Sequence, residues 1–301
     1  MKRICRKDQL AAKVIAHTFL CLFAAATLLP MVLSVVISFS SSESIQTKGY
    51  ALIPSSFSLN AYRAIFETPR TLLRAYGVSI GVTAAGTFLN VLLTALIAYP
   101  LSRRDFAYRS PVSAFLFIPM MFGGGLVPVY ILVVRYLGWK NTLLPMIVLP
   151  LVAPYTVFLL RVLFQGVPFS MLEAAKIDGA SEWRTFCRIV LPLSRPAIAT
   201  IALNYALAYW NDAFTPMIYL TDKRLYPLTL ILNNIVSVVN EMKAQLLDPS
   251  KAGGVLADPN SIPSDTIIFA MMIVSTLPLA VLFTRMQKYF VKGLTVGSVK
   301  G

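Results

Sequence analysis

Residues 204–212, NYALAYWND, gather the side chains best suited to holding a solute. Asn204, Ala208 and Asn211 fall on one helical face, and Tyr205, Tyr209 and Asp212 on the next. Amides hydrogen-bond hydroxyl groups, and aromatic rings stack on apolar C–H faces. The set therefore suits non-covalent binding of a hydroxyl-rich solute rather than bond-making. Trp and Tyr also collect at membrane boundaries, which is an equally good reading of Trp210. A carboxylate such as Asp212, at the end of an apolar run, pairs with another group or lines a water-filled path.

A second stretch, EAAKIDGASEWRTFCRIVLP at 173–192, is polar and helix-forming within a mostly apolar chain. Leu172, Ala175, Gly179, Trp183, Phe186 and Val190 recur at steps of three and four, which is one apolar stripe on a helix. Glu173, Lys176, Arg184 and Arg188 lie elsewhere around it. Glycine inside a helix costs about 1 kcal/mol relative to Ala, so Gly179 has a use: close approach of another backbone, or a tight turn between two short helices. The segment reads either as a shape fitted to a partner's groove or as an interfacial helix on lipid headgroups.

Sets that make and break bonds are missing. There is no GxxxxGK[ST] phosphate loop, HExxH pair or CxxC pair, and no Ser/His/Asp set stands out. The three cysteines, Cys5, Cys21 and Cys187, have no metal spacing. The lone histidine, His17, sits in the first apolar run and reads as packed or interfacial.

The elements that must position these residues are membrane-spanning. Of 301 residues, 57% are hydrophobic and only 13% charged, against about a quarter charged in soluble domains. Six runs are long enough to span a bilayer, which takes about 20 helical residues; they lie near 14–39, 76–100, 112–135, 142–164, 193–215 and 266–288. The basic start MKRICRK before the first run resembles a signal peptide, but the run is too long for a typical signal core and reads as an uncleaved span. Residues 1–13 are then a cytoplasmic N-terminus and 14–301 a single transmembrane domain.

With the N-terminus inside, the larger share of Lys and Arg also falls inside, most clearly in LSRRDFAYRS at 101–110. The net charge of +14 follows from that bias and not from nucleic-acid binding. Two outer loops are long, 40–75 and 216–265. Leu59, Tyr62, Ile65 and Phe66 suggest a short interfacial helix in the first, with Ser58 as its cap. DPSKAGGVLADPNSIPSD in the second reads as irregular. Seven prolines in or beside the spans are candidate kinks. GGG at 123–125 permits either a close helix crossing or an unwound segment lining a path.

The pattern Glu173-Ala174-Ala175, then Gly179, then Ile189, Leu191 and Pro192, resembles the EAA motif of inner-membrane permease subunits of ABC importers. AAKIDGASEWRTFCRIVLPLSRPAI and WNDAFTPMIYL look like the sugar-importing, maltose-permease-like branch, and GGGLVPVYILVVRYLGWKNT its oligosaccharide group. The resemblance covers nearly the whole chain. It implies an all-α bundle of six transmembrane helices, of the type I ABC importer permease class, in a bacterial cytoplasmic membrane with both termini cytoplasmic. It implies a coupling helix at about 169–185 that docks on a separate ATPase through Glu173, Ala174, Ala175, Asp178 and Gly179. ATP and Mg would sit on that ATPase, leaving this chain without a cofactor and without catalysis. The implied partners are a second homologous permease, two ATPase domains, an extracellular sugar-binding protein and membrane lipid. An outer loop at the position of 216–265 would reach the binding protein. Asn204, Tyr205, Tyr209, Asn211 and Asp212 become candidates for the sugar path. Two rivals stay open: an ABC permease for another solute, and a transporter driven by an ion gradient, for which Asp212 and His17 are the only groups inside spans to offer.

Overall fold

The computed structural model describes residues 2–247 and 265–297. Within them there is no strand, only an isolated bridge between Ser40 and Phe57. In chain order the helices are α1 (Lys2–Ser38), α2 (Ser42–Lys48), α3 (Asn60–Phe66), α4 (Pro69–Ser102), α5 (Arg109–Met121), α6 (Leu126–Ile131), α7 (Leu144–Val148), α8 (Pro154–Gln165), α9 (Phe169–Ile177), α10 (Glu182–Thr185), α11 (Leu191–Leu193), α12 (Arg195–Asn211), α13 (Phe214–Tyr219), α14 (Leu228–Leu247) and α15 (Asp265–Gly297). Wider π-type turns carry α6 on to Tyr136 and join α10 to α11.

Three helices are long and apolar enough to cross a membrane: Ala12–Ser38 of α1, all of α4, and Asp265–Gln287 of α15. Three further pairs qualify only when each is taken as one bent span, so the described residues hold between three and six candidate spans, against the six expected. The α5–α6 pair turns by 106°, α8–α9 by 76°, and Glu182–Leu193 against α12 by 80°. In the runs expected at 112–135, 142–164 and 193–215 the helix is interrupted, at 122–125, 149–153 and 212–213 respectively.

The breaks have local causes. At 123–125 the helix unwinds, and Gly125 takes φ +75°. Cβ atoms on Gly123, Gly124 and Gly125 would meet nothing closer than Val129 and Pro128 of the following helix, at 3.7 Å, so these glycines serve no close helix crossing within this chain. Between α7 and α8, Pro150 and Pro154 flank Val152, which is held at φ +59°. Pro30, Pro100 and Pro278, by contrast, lie inside helices that continue through them.

The chain forms two compact units. In residues 1–69 with 234–276, Phe39 stacks on Phe57 (5.6 Å) and Tyr62 (5.0 Å), and the Ser38 and Tyr62 hydroxyls are 2.9 Å apart. Tyr50 donates to Asp265 Oδ2 at 2.8 Å. Burial, then that carboxylate, push the Tyr50 phenol up to about 12. The predicted interfacial helix is α3, and Ser58 accepts from the Asn60 amide at 3.2 Å.

In residues 70–233 with 277–301 the core is built from α4, α8 and α12, through Val82, Ala95, Leu160, Phe164, Ile201 and Tyr209. The described part of the expected long outer loop, 216–247, is mostly helix, since α14 alone takes 20 residues of it. Its GGVLADPNSIPS part, residues 253–264, lies outside the described residues.

Candidate functional site: a glycine-broken turn and a buried polar tie

α8 ends at Gly166, and Pro168 starts α9 (FSMLEAAKI). α9 stops after nine residues because Gly179 takes φ +72°, in the left-handed region. The Gly179 amide then bonds Lys176 O at 3.1 Å, and the Ala180 amide bonds Ala175 O at 2.9 Å. This pair is the Schellman closure, which satisfies carbonyls a helix end leaves open. Ser181 restarts the chain, its Oγ accepting from the Arg184 amide at 3.3 Å. Of the two uses predicted for Gly179, the tight turn is the one realised. The apolar stripe predicted from Leu172 to Val190 is correspondingly split between two helices.

Glu173, Ala174, Lys176, Asp178 and Gly179 are exposed, whereas Ala175 is 6% exposed and packs inward. Ala175 thus holds the helix to its own bundle and is not available for docking. Beside the exposed residues stand large apolar ones, with Ile177 at 85% and Trp183 at 63% exposure. Isolated exposed apolar residues are ordinary, whereas contiguous apolar patches of several hundred Å² are where contacts form.

The turn is tied to the end of α4. Tyr99 donates to Glu182 Oε2 at 2.5 Å, and Arg103 Nη2 donates to Glu182 Oε1 at 3.3 Å. Asp105 joins Arg103 (3.5 Å) and Lys176 (3.8 Å). Phe186 packs against Tyr99 at 4.9 Å and Trp183 at 5.6 Å. Sequence reasoning missed Tyr99, Arg103 and Glu182 as a set. The one available signal was a carboxylate in the turn and a basic residue at a span's end, which spacing alone cannot pair.

The predicted path residues divide into two rows. Asn204 and Asn211 are exposed. Tyr205 and Tyr209 are buried at 6% and 5% exposure, and Trp210 at 6%. The Tyr205 hydroxyl meets Thr94 Oγ1 at 3.1 Å. Tyr209 donates to Ile147 O at 2.9 Å and accepts from Asn90 Nδ2 at 2.7 Å. Asn90, 0% exposed and not singled out in the sequence, also donates to Pro150 O (3.2 Å) and accepts from the Val152 amide (2.8 Å). A Cβ on Gly86 would overlap the Tyr209 ring, so glycine there lets the ring lie flat on α4. Tyr205 and Tyr209 are spent on internal ties and do not line a path.

Asp212 is corrected as well. It lies just past the end of α12, and its Oδ1 accepts from the Phe214 and Thr215 amides, both at 3.0 Å. It starts α13 and carries no free carboxylate into a span. A comparable hub, also missed, is Asn141 (φ +58°), whose Oδ1 accepts from Thr221 and Asp222 amides at 2.6 and 3.0 Å. His17 is exposed on α1, with Nδ1 2.7 Å from Lys13 O.

Residues 77–296 match the family of binding-protein-dependent transport system inner membrane components. The chain is 37% identical over 288 residues to the polygalacturonan/rhamnogalacturonan transport system permease protein YtcP of Bacillus subtilis (strain 168), covering 96% of this chain and 98% of that one. It is 36% identical over 278 residues to protein LplC of the same organism, covering 92% and 90%. Among solved structures, a chain of a bacterial ABC transporter involved in import of the acidic polysaccharide alginate superposes with a TM-score of 0.76 over 92% of this chain and 95% of that one. At 24% identity that likeness speaks for the fold alone.

Proposed function

The chain belongs to the family of binding-protein-dependent transport system inner membrane components, and from that premise we propose that it is the permease subunit of an ATP-driven importer for an oligosaccharide released from a polysaccharide. The observation that carries the coupling half of this reading is the α9–α10 turn. It is exposed, rimmed by Ile177 and Trp183, closed by Gly179, and bonded through Glu182 to Tyr99 and Arg103 at the end of α4. A partner that grips the turn thereby moves α4, a 34-residue span.

The cargo half rests on relatives named for polygalacturonan/rhamnogalacturonan and arabinooligosaccharide transport. Asn204 and Asn211, exposed on one face of α12, are the residues proposed for the path. The working unit pairs this chain with a second permease, two ATPase domains carrying ATP and Mg, and an extracellular sugar-binding protein. The N-terminus and the α9–α10 turn then face the cytoplasm. Closure of the ATPases draws the turns together, and the bundle alternates its opening from one side to the other. Ion coupling loses its best candidate, because Asp212 is engaged by two amides.

The decisive experiment is Gly179→Glu in the complete transporter. The variant chain is expected to insert normally and to assemble with its partners. Sugar uptake is expected to fall to background while basal ATP hydrolysis persists. Normal uptake by this variant would sink the reading, as would uptake that persists without ATP in the presence of an ion gradient.

A further inference from the structure

A concavity lies beside the coupling turn and shares Arg103 and the start of α9 with it. It is a cavity of about 510 Å³ at the rim of the bundle, formed by the end of α4, the start of α5 and the α8–α9 bend. Arg103, Arg104 and Arg109 line it, and none of its lining residues is acidic. Arg103 is nine-tenths buried and ion-paired to Glu182 (3.3 Å) and Asp105 (3.5 Å), so Arg104 and Arg109 are the guanidinium groups left to meet an anion. Arg161 reaches Ser113 at 3.1 Å, one turn along α5 from Arg109, and lies close enough to feel the Arg109 charge. Arg104 and Arg109 form no ion pair among the described residues, so an anion entering the hollow would be stabilised by both.

A membrane protein keeps basic residues at its cytoplasmic rim for topology alone. That bias accounts for basic residues at the rim, but not for a hollow lined by three arginines and no carboxylate. Guanidinium forks match tetrahedral phosphate oxygens, and basic hollows between spans at the cytoplasmic surface suit anionic headgroups. The start of α5, with no side-chain cap, adds the positive end of a 13-residue helix. We propose that this cavity binds a phosphate diester, supplied by the headgroup of an anionic phospholipid whose acyl chains run beside α5 and α8. Placing the rim at the cytoplasmic surface rests on the orientation given under the proposed function; the cavity chemistry does not depend on the sugar.

The test uses the complete transporter, purified in mild detergent and offered equimolar phosphatidylglycerol and phosphatidylcholine. Retained lipid is counted by native mass spectrometry, without transport or ATP, so the result is independent of coupling. Wild type is expected to retain phosphatidylglycerol preferentially. Arg104→Gln with Arg109→Gln is expected to lose that preference by about 30-fold. Arg70→Gln with Arg74→Gln, an equal charge change at the other end of α4, is expected to keep it. Equal loss in both pairs, or no loss in the first, overturns the site. Displacement of phosphatidylglycerol by millimolar inorganic phosphate overturns the lipid source. If the Arg104/Arg109 pair does not assemble, photoactivatable phosphatidylglycerol on the wild type decides: adducts within 102–109 or 164–172 support the site, and adducts only elsewhere overturn it.

Discussion

Asn90 and Tyr209 show what single side chains do in this bundle. Between them they satisfy Ile147 O, Pro150 O and the Val152 amide, all freed where the chain leaves helix between α7 and α8. With no water in the hydrocarbon region to replace those bonds, losing one partner leaves buried groups unpaired, at about 1–3 kcal/mol each. Asn90→Leu is therefore expected to lower thermal stability more than Tyr209→Phe, which keeps the ring and removes only the hydroxyl. Melting curves of the purified transporter in detergent check the order. Gly86→Val is expected to destabilise by about 1–3 kcal/mol through overlap with the Tyr209 ring. The same substitution combined with Tyr209→Ala should recover part of that loss, because the obstructing ring is gone; no recovery would refute the packing account. By contrast, Asn204→Ala and Asn211→Ala touch no internal bond of this kind. They are expected to leave stability unchanged and to weaken sugar uptake, seen as a changed concentration dependence.

At the scale of elements, the breaks matter more than the helices. Gly179 ends α9 in a left-handed conformation, where a side chain costs about 1–2 kcal/mol. Nothing crowds its would-be Cβ. Gly179→Ala is thus expected to insert, assemble and transport at a reduced rate, whereas Gly179→Glu adds charge and bulk to the docking surface and abolishes coupling. A graded series, Ala above Ser above Glu in ATP-coupled uptake, is the measurement. Glu182→Gln tests the tie to α4. It is expected to leave partner binding intact and to lower sugar-stimulated ATP hydrolysis, because the gripped turn no longer drags Tyr99 and Arg103 with it. Loss of partner binding in Glu182→Gln would instead make Glu182 part of the docking surface.

At the scale of the whole molecule, surface left bare by the chain itself has to be covered. Only 6% of the most apolar window of α1 is buried within the chain, against 33% for α4 and for α15. Phe19, Leu22, Phe23 and Met31 all lie open along it. Lipid covers such a face as well as a protein does, so exposure alone does not name the occupant. The proposed pairing with a second permease predicts that cysteines placed along the α1 face, for example Leu22→Cys or Met31→Cys, form oxidative cross-links to that subunit at some positions of a helical repeat. Cross-links at none, with α1 labelled evenly by a lipid-soluble reagent, would assign the face to lipid. Affinity isolation of the tagged chain is expected to bring down an ATPase, a second permease and a sugar-binding protein.

By itself the sequence determined the class of molecule and the place of the glycine-closed turn that is proposed to couple it. Runs of apolar residues long enough to span a bilayer carry that information locally, because the bilayer imposes a length and excludes charge. The EAA pattern with Gly179 was equally local, since a left-handed turn demands glycine at one position. α3 was legible from its spacing. What only the tertiary structure decided was which polar groups face inward. Tyr205 and Asn204 are neighbours of similar polarity, and periodicity places them on adjacent faces without saying which face meets the core. Packing against Thr94 and Gly86 of α4 takes the tyrosine row, leaving Asn204 and Asn211 open. Asp212 was read as a span carboxylate because composition does not show where a helix stops, and its two amide bonds do. The pairing of Glu182 with Tyr99 and Arg103 joins residues about eighty positions apart in the chain, and distance of that kind is closed by folding, not by spacing.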